Sequence, residues 1–288
     1  MRKKSGFFYF AVFLLAGVIA RAAVVRPEIS VPYIDPSRNT ITIDGSDGDW
    51  PDAILENKIH FFPGDGNPGN SRVLGTTVLG TMSGREDGDV TICLAHDGEH
   101  LFILASIQDD LLEQRVKENN RNEAWKEDAL HIYIDSNNAE KSDIPGSPIV
   151  TQPGYEQFGV STDYNCYTEN VDFTTSQSSG TAGMGAQPDQ VNWLAAIQIS
   201  GSGPFTYVFE ERVPLREVTG HNLRTMNPGE SYGFNAEFVD SDAGVYLQGW
   251  IFWSGNGNKD VWNCENLWGK MVLKSIPISN IRDWMLNK

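Results

Sequence analysis

Aspartates grouped at predicted turns are the residues whose type and spacing most directly suggest chemistry. Asp44, Asp47 and Asp49 are interleaved with Gly45 and Gly48, so a tight turn would bring carboxylates and backbone carbonyls together. Hard cations such as Ca²⁺ take several oxygen ligands at about 2.3–2.6 Å. A calcium site is one interpretation, and an ordinary Asp/Gly turn is the other.

A second acidic group comes from two consecutive predicted strands. Asp109 and Asp110 end one strand, and Asp128 begins the next. Because consecutive strands commonly lie side by side, these carboxylates could approach one another. The sequence therefore predicts structural calcium as a cofactor. The candidate ligands are Asp44, Asp47, Asp49, Asp109 and Asp128.

Paired catalytic carboxylates are the signature of the main enzymatic alternative, a jelly-roll glycoside hydrolase or lyase. Such enzymes need two carboxyl groups about 5–9.5 Å apart. Glu210 and Glu211 are adjacent, and Glu237 and Asp240 are three residues apart. In a regular strand both pairs would point to opposite faces. We therefore expect a binding module rather than an enzyme.

Histidine and cysteine spacing predicts no transition-metal or thiol chemistry. His96 and His100 are four residues apart, but Asp97-Gly98 between them indicates a hairpin turn rather than the helix of a zinc site. Three cysteines allow one disulfide without identifying its pair. They are Cys93, Cys166 and Cys264.

The N-terminus predicts export. Basic residues at positions 2–4 precede an apolar run, Phe7–Ala20, and a small-x-small sequence ends at Ala22. This pattern is typical of a cleaved signal peptide over residues 1–22. At about 14 residues the run is shorter than the ~20 needed to cross a bilayer. We expect a secreted, periplasmic or cell-surface protein without membrane insertion.

The net charge limits the classes of binding partner that we expect. The chain carries 38 acidic and 22 basic residues, a formal net charge of −16. Such a field repels phosphate backbones and anionic lipids, so nucleic acid is not an expected partner. Neutral ligands and divalent cations are compatible with it.

The dominant hydrophobic period is two, which predicts strands. Leu101–Ile107 alternates two largely apolar faces, as in a strand covered on both sides. About ten such runs predict an all-β fold, an antiparallel, jelly-roll-like β-sandwich with long surface loops. The other runs are Thr40–Asp44, Val90–Leu94, Ala129–Asp135, Glu156–Thr162, Asn192–Ile199, Phe205–Arg212, Ser231–Asp240, Val245–Trp253 and Trp268–Leu273.

The remaining segments complete the predicted organisation. Pro214–Val218 is predicted as one helical turn. Glycine- and proline-rich loops are expected at Phe62–Asp89, Ser142–Tyr155 and Thr174–Asp189. The domain boundaries that follow are an N-terminal extension at 23–40, one sandwich at 41–274, and a C-terminal tail at 275–288.

Five segments, in this order, resemble family 9 carbohydrate-binding modules within the DOMON-like sandwiches. This resemblance implies a β-sandwich and non-catalytic binding of a saccharide or polysaccharide. It also implies partner glycoside hydrolases in polysaccharide catabolism, and it favours structural calcium. The matching segments are Ile43–Trp50, the hairpin Asp97–Ala105, Trp125–Asp135, Tyr232–Asn235 and Trp262–Leu273.

In that family two tryptophans sandwich a terminal sugar, and the matching positions hold Trp125 and Trp262. Indole offers a wide apolar face with a polar N–H at its edge, which suits the C–H groups and hydroxyls of a pyranose. The alternative is that both side chains are packing residues that close the end of the sandwich. The other predicted carbohydrate-binding residues are Glu127, His131, Lys259 and Asn263.

The sequence departs from the family pattern at several polar positions. His131 stands where the family has a glutamate, and Lys259 where it has an asparagine. Gly159 and Ser161 replace the arginine and asparagine of the family. We therefore expect a ligand different from the familiar glucan and xylan ends.

Haem binding is the other alternative, because some DOMON-like domains hold haem between methionine and histidine or lysine. The available side chains are Met82, Met184, Met226, Met271 and Lys270.

Overall fold

The computed structural model describes residues 26–63, 71–74, 82, 84–114, 127–137, 155–161, 166–169, 193–218, 223–242, 249–254 and 267–277. The predicted signal peptide, the loops at 142–154 and 174–189, and the tail beyond residue 277 lie outside these ranges. Within the described ranges, no helix has the length and apolar character required to cross a membrane.

The described chain is almost entirely β-structure. It has one short helix, α1 (Asp52–Leu55), and one 3₁₀ turn, Arg85–Asp87. The strands are β1 (Glu28–Val31), β2 (Lys58–Phe61), β3 (Ser71–Leu74), β4 (Asp89–His96), β5 (His100–Asp109), β6 (Ala129–Asp135), β7 (Tyr155–Ser161), β8 (Cys166–Glu169), β9 (Leu194–Gly201), β10 (Phe205–Pro214), β11 (Ser231–Asp240), β12 (Gly249–Phe252) and β13 (Gly269–Leu273).

These strands form two sheets. The larger has the order β1-β13-β11-β6-β7-β8, with β12 paired to β11 and β3 paired to β12. The smaller has the order β2-β4-β5-β10-β9. The pairs are antiparallel, except that β1 runs parallel to β13. The predicted all-β sandwich is therefore confirmed, and β1 extends it to residues before the predicted boundary at 41.

The main core fills the space between the two sheets. Alternate residues of each strand enter it, as strand geometry requires. The larger sheet contributes Ile132 and Phe234, and the smaller contributes Ile103 and Phe209; all four are fully buried. The remaining residues of β6 and β11 necessarily point away from this core, which creates the second face described below.

A smaller apolar layer covers the outside of the smaller sheet. Trp50 and Ile54 pack there against Phe102 and Leu104. The carboxylate of Glu210 holds residues 44–50, the segment that leads into this layer, against the sheet. Its Oε2 accepts bonds from the backbone N–H groups of residues 44 and 45 at 2.8 and 2.9 Å, and its Oε1 accepts one from Trp50 Nε1 at 2.7 Å. Trp50 therefore serves to fasten this segment to the sheet.

Two expected elements differ in the structure. The strand predicted at Thr40–Asp44 is wrong: the segment is irregular, and its N–H groups bond to side chains, that of Asp44 to Glu210 and that of Thr42 to Asp49. The helical turn predicted at Pro214–Val218 is also wrong. Pro214 ends β10, and Leu215 N bonds to Glu99 O at 2.8 Å while Leu215 O accepts from Met226 N at 2.6 Å.

Gly45 provides a test of this fastening. Its φ of +82° favours glycine, and an added Cβ would lie 2.9 Å from backbone atoms of Ile197 and Gln198. We expect Gly45→Ala to lower the free energy of unfolding by about 1–3 kcal/mol in urea denaturation. Gly48→Ala is the matched control, since its Cβ would meet only the Ser46 hydroxyl at 3.4 Å. Equal stability of the two variants would contradict this account.

Candidate functional site

The outer face of the larger sheet, meaning the side turned away from the main core, carries the polar residues of β6 and β11. His131 on β6 lies directly opposite Glu237 on β11. On its other side His131 faces Gly159 of β7, which has no side chain. The alternation that buries Leu130 and Ile132 in the core sends His131 to this outer face. His131 and Glu237 are nevertheless only 2% and 5% exposed.

Glu237 is the centre of a hydrogen-bond network on this face. His131 Nδ1 lies 2.8 Å from Glu237 Oε2 and donates to it, because a carboxylate can only accept. The hydroxyl of Tyr133 donates to the same oxygen. These three side chains, which we term the carboxylate triad, combine a charge with two oriented donors.

Aromatic rings hold the carboxylate triad in place. The Tyr133 ring lies 5.4 Å from that of Trp268 and 6.2 Å from that of Phe252, measured between ring centroids. The His131 ring meets Tyr133 edge-on at 6.4 Å. Trp268 is fully buried, and its ring lies against that of Tyr133 on the outer face.

Two of the six predicted carbohydrate-binding residues fall within the described part of the chain. His131 belongs to the carboxylate triad, and Glu127 is fully buried just before β6. Trp125, Trp262, Lys259 and Asn263 lie outside the described residues. Their roles stay predictions.

Three buried aspartates form a second cluster at one end of the sandwich. Asp109 ends β5, Asp128 precedes β6, and Asp240 ends β11. One ligand atom from each lies within 4.8 Å of the others. The predicted neighbourhood of Asp109 and Asp128 is thus present, and Asp240 is a third member that the sequence reasoning did not include.

Hydrogen bonds satisfy part of this aspartate cluster. Tyr207 OH lies 2.9 Å from Asp109 Oδ2 and 3.2 Å from Asp128 Oδ2. Backbone N–H groups of Glu113 and Ser241 donate to Asp128 at 2.7 and 3.0 Å. Both side-chain oxygens of Asp240 are buried, and within the described part of the chain neither has a hydrogen-bond partner.

The aspartate cluster resists ionisation when no cation is bound. Burial is the largest cause, and the neighbouring carboxylates add to it. Together they raise the pKa of Asp109 to about 7 and that of Asp240 to about 9. Burial and the charge of Asp109 also raise the pKa of Asp128 well above its usual value. A hard cation would remove this repulsion and occupy the unpartnered oxygens, so the cluster fits a metal ion.

The other predicted calcium cluster, Asp44, Asp47 and Asp49, makes hydrogen bonds that are typical of an ordinary turn. Asp44 Oδ1 accepts from Ser46 N at 2.9 Å, and Asp49 Oδ2 accepts from Thr42 N at 2.7 Å. The carbonyl of Asp47 accepts from Trp50 N at 3.0 Å. A metal at this turn stays a prediction.

In each of the two carboxylate pairs considered for catalysis, the two side chains lie on different faces of their sheet. Glu210 fastens residues 44–50 outside the smaller sheet, whereas Glu211 is fully buried and accepts a bond from Trp193 Nε1 at 3.1 Å. Glu237 lies on the outer face of the larger sheet, whereas Asp240 joins the aspartate cluster. Neither pair shares a site.

Among the methionines considered for haem, three belong to the main apolar core, and Met184 lies outside the described residues. The three are Met82, Met226 and Met271. Cys93 is a buried free thiol, and burial raises its pKa to about 11.

Comparisons with known proteins agree with the family resemblance. A family model described as carbohydrate family 9 binding domain-like matches residues 70–145. Two solved structures of a family 9 carbohydrate-binding module from Caldicellulosiruptor kristjanssonii, one with cellotriose and one with glucose, each show 17% identity and a TM-score of 0.54. The alignments cover 88% and 87% of this chain, and 96% and 97% of the respective modules.

A Bacteroides uniformis protein also shares the fold, with 10% identity, a TM-score of 0.51, and coverage of 87% of this chain and 100% of that one. No curated protein matches the chain by sequence. At these identities the structural matches establish the fold. Together with the family model, they confirm the resemblance to family 9 carbohydrate-binding modules.

The raised pKa values predict how stability depends on pH. With calcium removed by a chelator, the protonated cluster leaves the free energy of unfolding at its highest below about pH 4, where the carboxyl groups are also protonated in the unfolded chain. The free energy of unfolding falls as pH rises toward about 9, because the unfolded chain then releases these protons more readily than the folded protein. Asp240→Asn replaces one of these carboxyl groups by a neutral amide, which can be buried at any pH without taking up a proton. We expect this variant to be about 1–3 kcal/mol more stable than the parent at pH 8 in EDTA, and equal to it at pH 4. Urea denaturation measures both values; a parent as stable as the variant at pH 8 would contradict the account.

Proposed function

We propose that this chain is an exported, non-catalytic carbohydrate-binding protein whose saccharide stacks between Trp125 and Trp262 above the outer face of the larger sheet. Stacking supplies affinity, and polar groups at the face supply selectivity. His131, Glu127, Lys259 and Asn263 complete the proposed contacts. The saccharide is a polysaccharide end or fragment, and glycoside hydrolases that degrade the polysaccharide are the proposed partners.

The observation that carries this proposal is the carboxylate triad itself. A charged group with two donors, set on a sheet and surrounded by aromatic rings, is the combination that sugar rings require. The predicted tryptophans are close to it along the chain. Trp125 is six residues before His131 of the triad, and Trp262 is six residues before Trp268, whose ring contacts that of Tyr133.

The relatives supply the ligand class. The Caldicellulosiruptor kristjanssonii module binds cellotriose and glucose, and we extend saccharide binding to this chain on the basis of the shared fold. The particular sugar is not carried over, because Gly159 and His131 replace larger or acidic residues of the family pattern.

Calcium binding is a second proposed function of the same domain. Two observations on the aspartate cluster support it. The two buried oxygens of Asp240 have no hydrogen-bond partner among the described residues, and neighbouring carboxyl groups oppose the ionisation of Asp128 and Asp240. Asp109, Asp128 and Asp240 would hold the ion. When bound, it would supply charge neutralisation and would join the ends of β5 and β11 to the start of β6.

Removal of the tryptophans tests saccharide binding. We expect the parent protein to bind a saccharide on a glycan array with micromolar or weaker affinity, corresponding to about −8 kcal/mol at best. Trp125→Ala and Trp262→Ala should each remove most of this binding while the thermal midpoint stays within a few degrees of the parent. Trp284→Ala, in the predicted tail, is the matched control and should bind normally.

Two results would contradict the stacking role. Normal binding by both Trp125→Ala and Trp262→Ala would put the site elsewhere. Unfolding of both variants would identify the two side chains as packing residues of the sandwich.

Calcium titration tests the metal site. At pH 8, calcium at one hundred times its dissociation constant should stabilise the parent by about 2.7 kcal/mol relative to EDTA. Asp240→Asn should lose this increment in thermal unfolding, and Asp47→Asn should keep it. The reverse pattern would place the ion at the turn of residues 44–49, and no increment in the parent would exclude both sites.

A further inference from the structure

His96, at the end of β4, joins two distant parts of the chain to the smaller sheet. Its backbone N–H donates to Pro32 O at 3.0 Å, and its carbonyl accepts from Ile34 N at 2.8 Å. Its ring reaches the other end of the described chain, because Nε2 lies 2.8 Å from Lys274 O. One residue therefore holds residues 32–34, which follow β1, and residues 274–277, which follow β13. We term these two stretches the end segments.

The hydrogen bonds of His96 define the protonation state of its ring. A carbonyl oxygen can only accept, so Nε2 carries the proton and Nδ1 of the neutral ring is an acceptor. Nδ1 is buried, and among the described residues it has no hydrogen-bond partner. The whole residue is fully buried, and the Tyr33 ring covers it edge-on with the centroids 5.6 Å apart. A proton added to Nδ1 would therefore create a charged donor where the described chain offers no acceptor.

The charges around His96 compensate only in part for its burial. Burial lowers the pKa of His96, whereas the bond to the Lys274 carbonyl and the negative charge of Asp97 oppose this effect. Asp97 Oδ1 already accepts from the backbone N–H groups of Glu99 and His100, each at 2.7 Å. The titratable side chains on the adjoining hairpin and near the end segments are Tyr33, Asp35, Asp97, Glu99, His100 and Lys274.

The end segments are held less firmly than the strand that carries His96. β4 is eight residues long and pairs with β2 on one side and β5 on the other. Residues 32–34 lie outside the strands and make an isolated bridge between Tyr33 and His96. Lys274 N donates to Val31 O at 2.9 Å. Regions with fewer hydrogen bonds and less packing open at lower free energy, so the ring gains water by movement of the end segments while β4 stays paired.

We propose that His96 is a pH-sensitive latch, which holds the end segments on the sandwich in neutral solution and lets them open in acid. This inference does not depend on carbohydrate binding. An exposed histidine ring takes up a proton at about pH 6.5, and the buried ring does so only at lower pH. The open form therefore binds protons more readily than the closed form, and opening becomes more favourable as pH falls below about 6.5. Access of proteases or partners to the end segments would then depend on pH.

Amide hydrogen exchange of the full chain, followed by NMR at pH 7.5 and pH 5, tests the latch when rates are converted to protection factors. The reporting amides are those of Ile34, His96 and Lys274, which bond across the junction. Their protection should fall several-fold at pH 5. The ceiling is about thirtyfold, set by an ordinary histidine pKa of about 6.5. Amides within β5 and β11 should not lose protection.

His96→Gln is the decisive variant, because a glutamine side chain can still donate to Lys274 O and gains no proton at pH 5. Its reporting amides should have the same protection at both pH values. His60→Gln is the matched control, since it removes an exposed imidazole on β2 that bonds to Asp89. This control should keep the loss of protection that the parent shows.

Three results would overturn the latch. They are an equal loss of protection in His96→Gln, unchanged protection in the parent at pH 5, and a loss in the parent that extends equally to β5 and β11. If His96→Gln does not fold, titration of the His96 ring signals in the parent decides. Protonation over the same pH range as the loss of protection supports the latch, and protonation and loss that do not coincide overturn it.

Discussion

The antiparallel pairing of β6 with β11 is the interaction on which both candidate sites depend. In this register His131 faces Glu237, and Tyr133 faces Asn235. A shift of one residue would exchange the faces, placing His131 and Glu237 in the main core and Ile132 and Phe238 outside it. The apolar residues that hold the two sheets together therefore also fix the position of the carboxylate triad.

The same two strands lead to the aspartate cluster. Asp128 immediately precedes β6, and Asp240 ends β11. Antiparallel pairing therefore brings them to one end of the sheet, where Asp109 of the smaller sheet joins them. A cation there would tie the two sheets together at the edge from which the chain leaves toward residues 115–126 and 243–248. The proposed metal site and the proposed saccharide site thus share a frame while using different atoms.

Much of the fold follows from local patterns in the sequence. Ala129–Asp135 and Ser231–Asp240 have the predicted bounds because their apolar residues alternate without interruption and polar turn residues flank them. The strand predicted at Thr40–Asp44 does not form, because the backbone N–H of Asp44 bonds to Glu210, which is 166 residues away along the chain. No local sequence pattern indicates such a partner. Leu215 likewise bonds to Glu99 and Met226 instead of starting a helix.

The candidate sites were less predictable, because they depend on which strands become neighbours. Asp109 and Asp128 are near each other in sequence, and their proximity was predicted. Within β11 alone, Asp240 and Glu237 point apart, and the approach of Asp240 to Asp109 and Asp128 depends on which strands become neighbours. Glu237 and His131 are 106 residues apart, and only the pairing of β6 with β11 shows that one completes the environment of the other.

A crystal structure of the protein with cellotriose and calcium would test the central claim most directly, namely that the outer face of the larger sheet binds the ligand. We predict sugar density over β6 and β11, stacked between Trp125 and Trp262 and within hydrogen-bond distance of His131, about 2.5–3.2 Å. Sugar bound at the smaller sheet, or away from both Glu237 and His131, would contradict it.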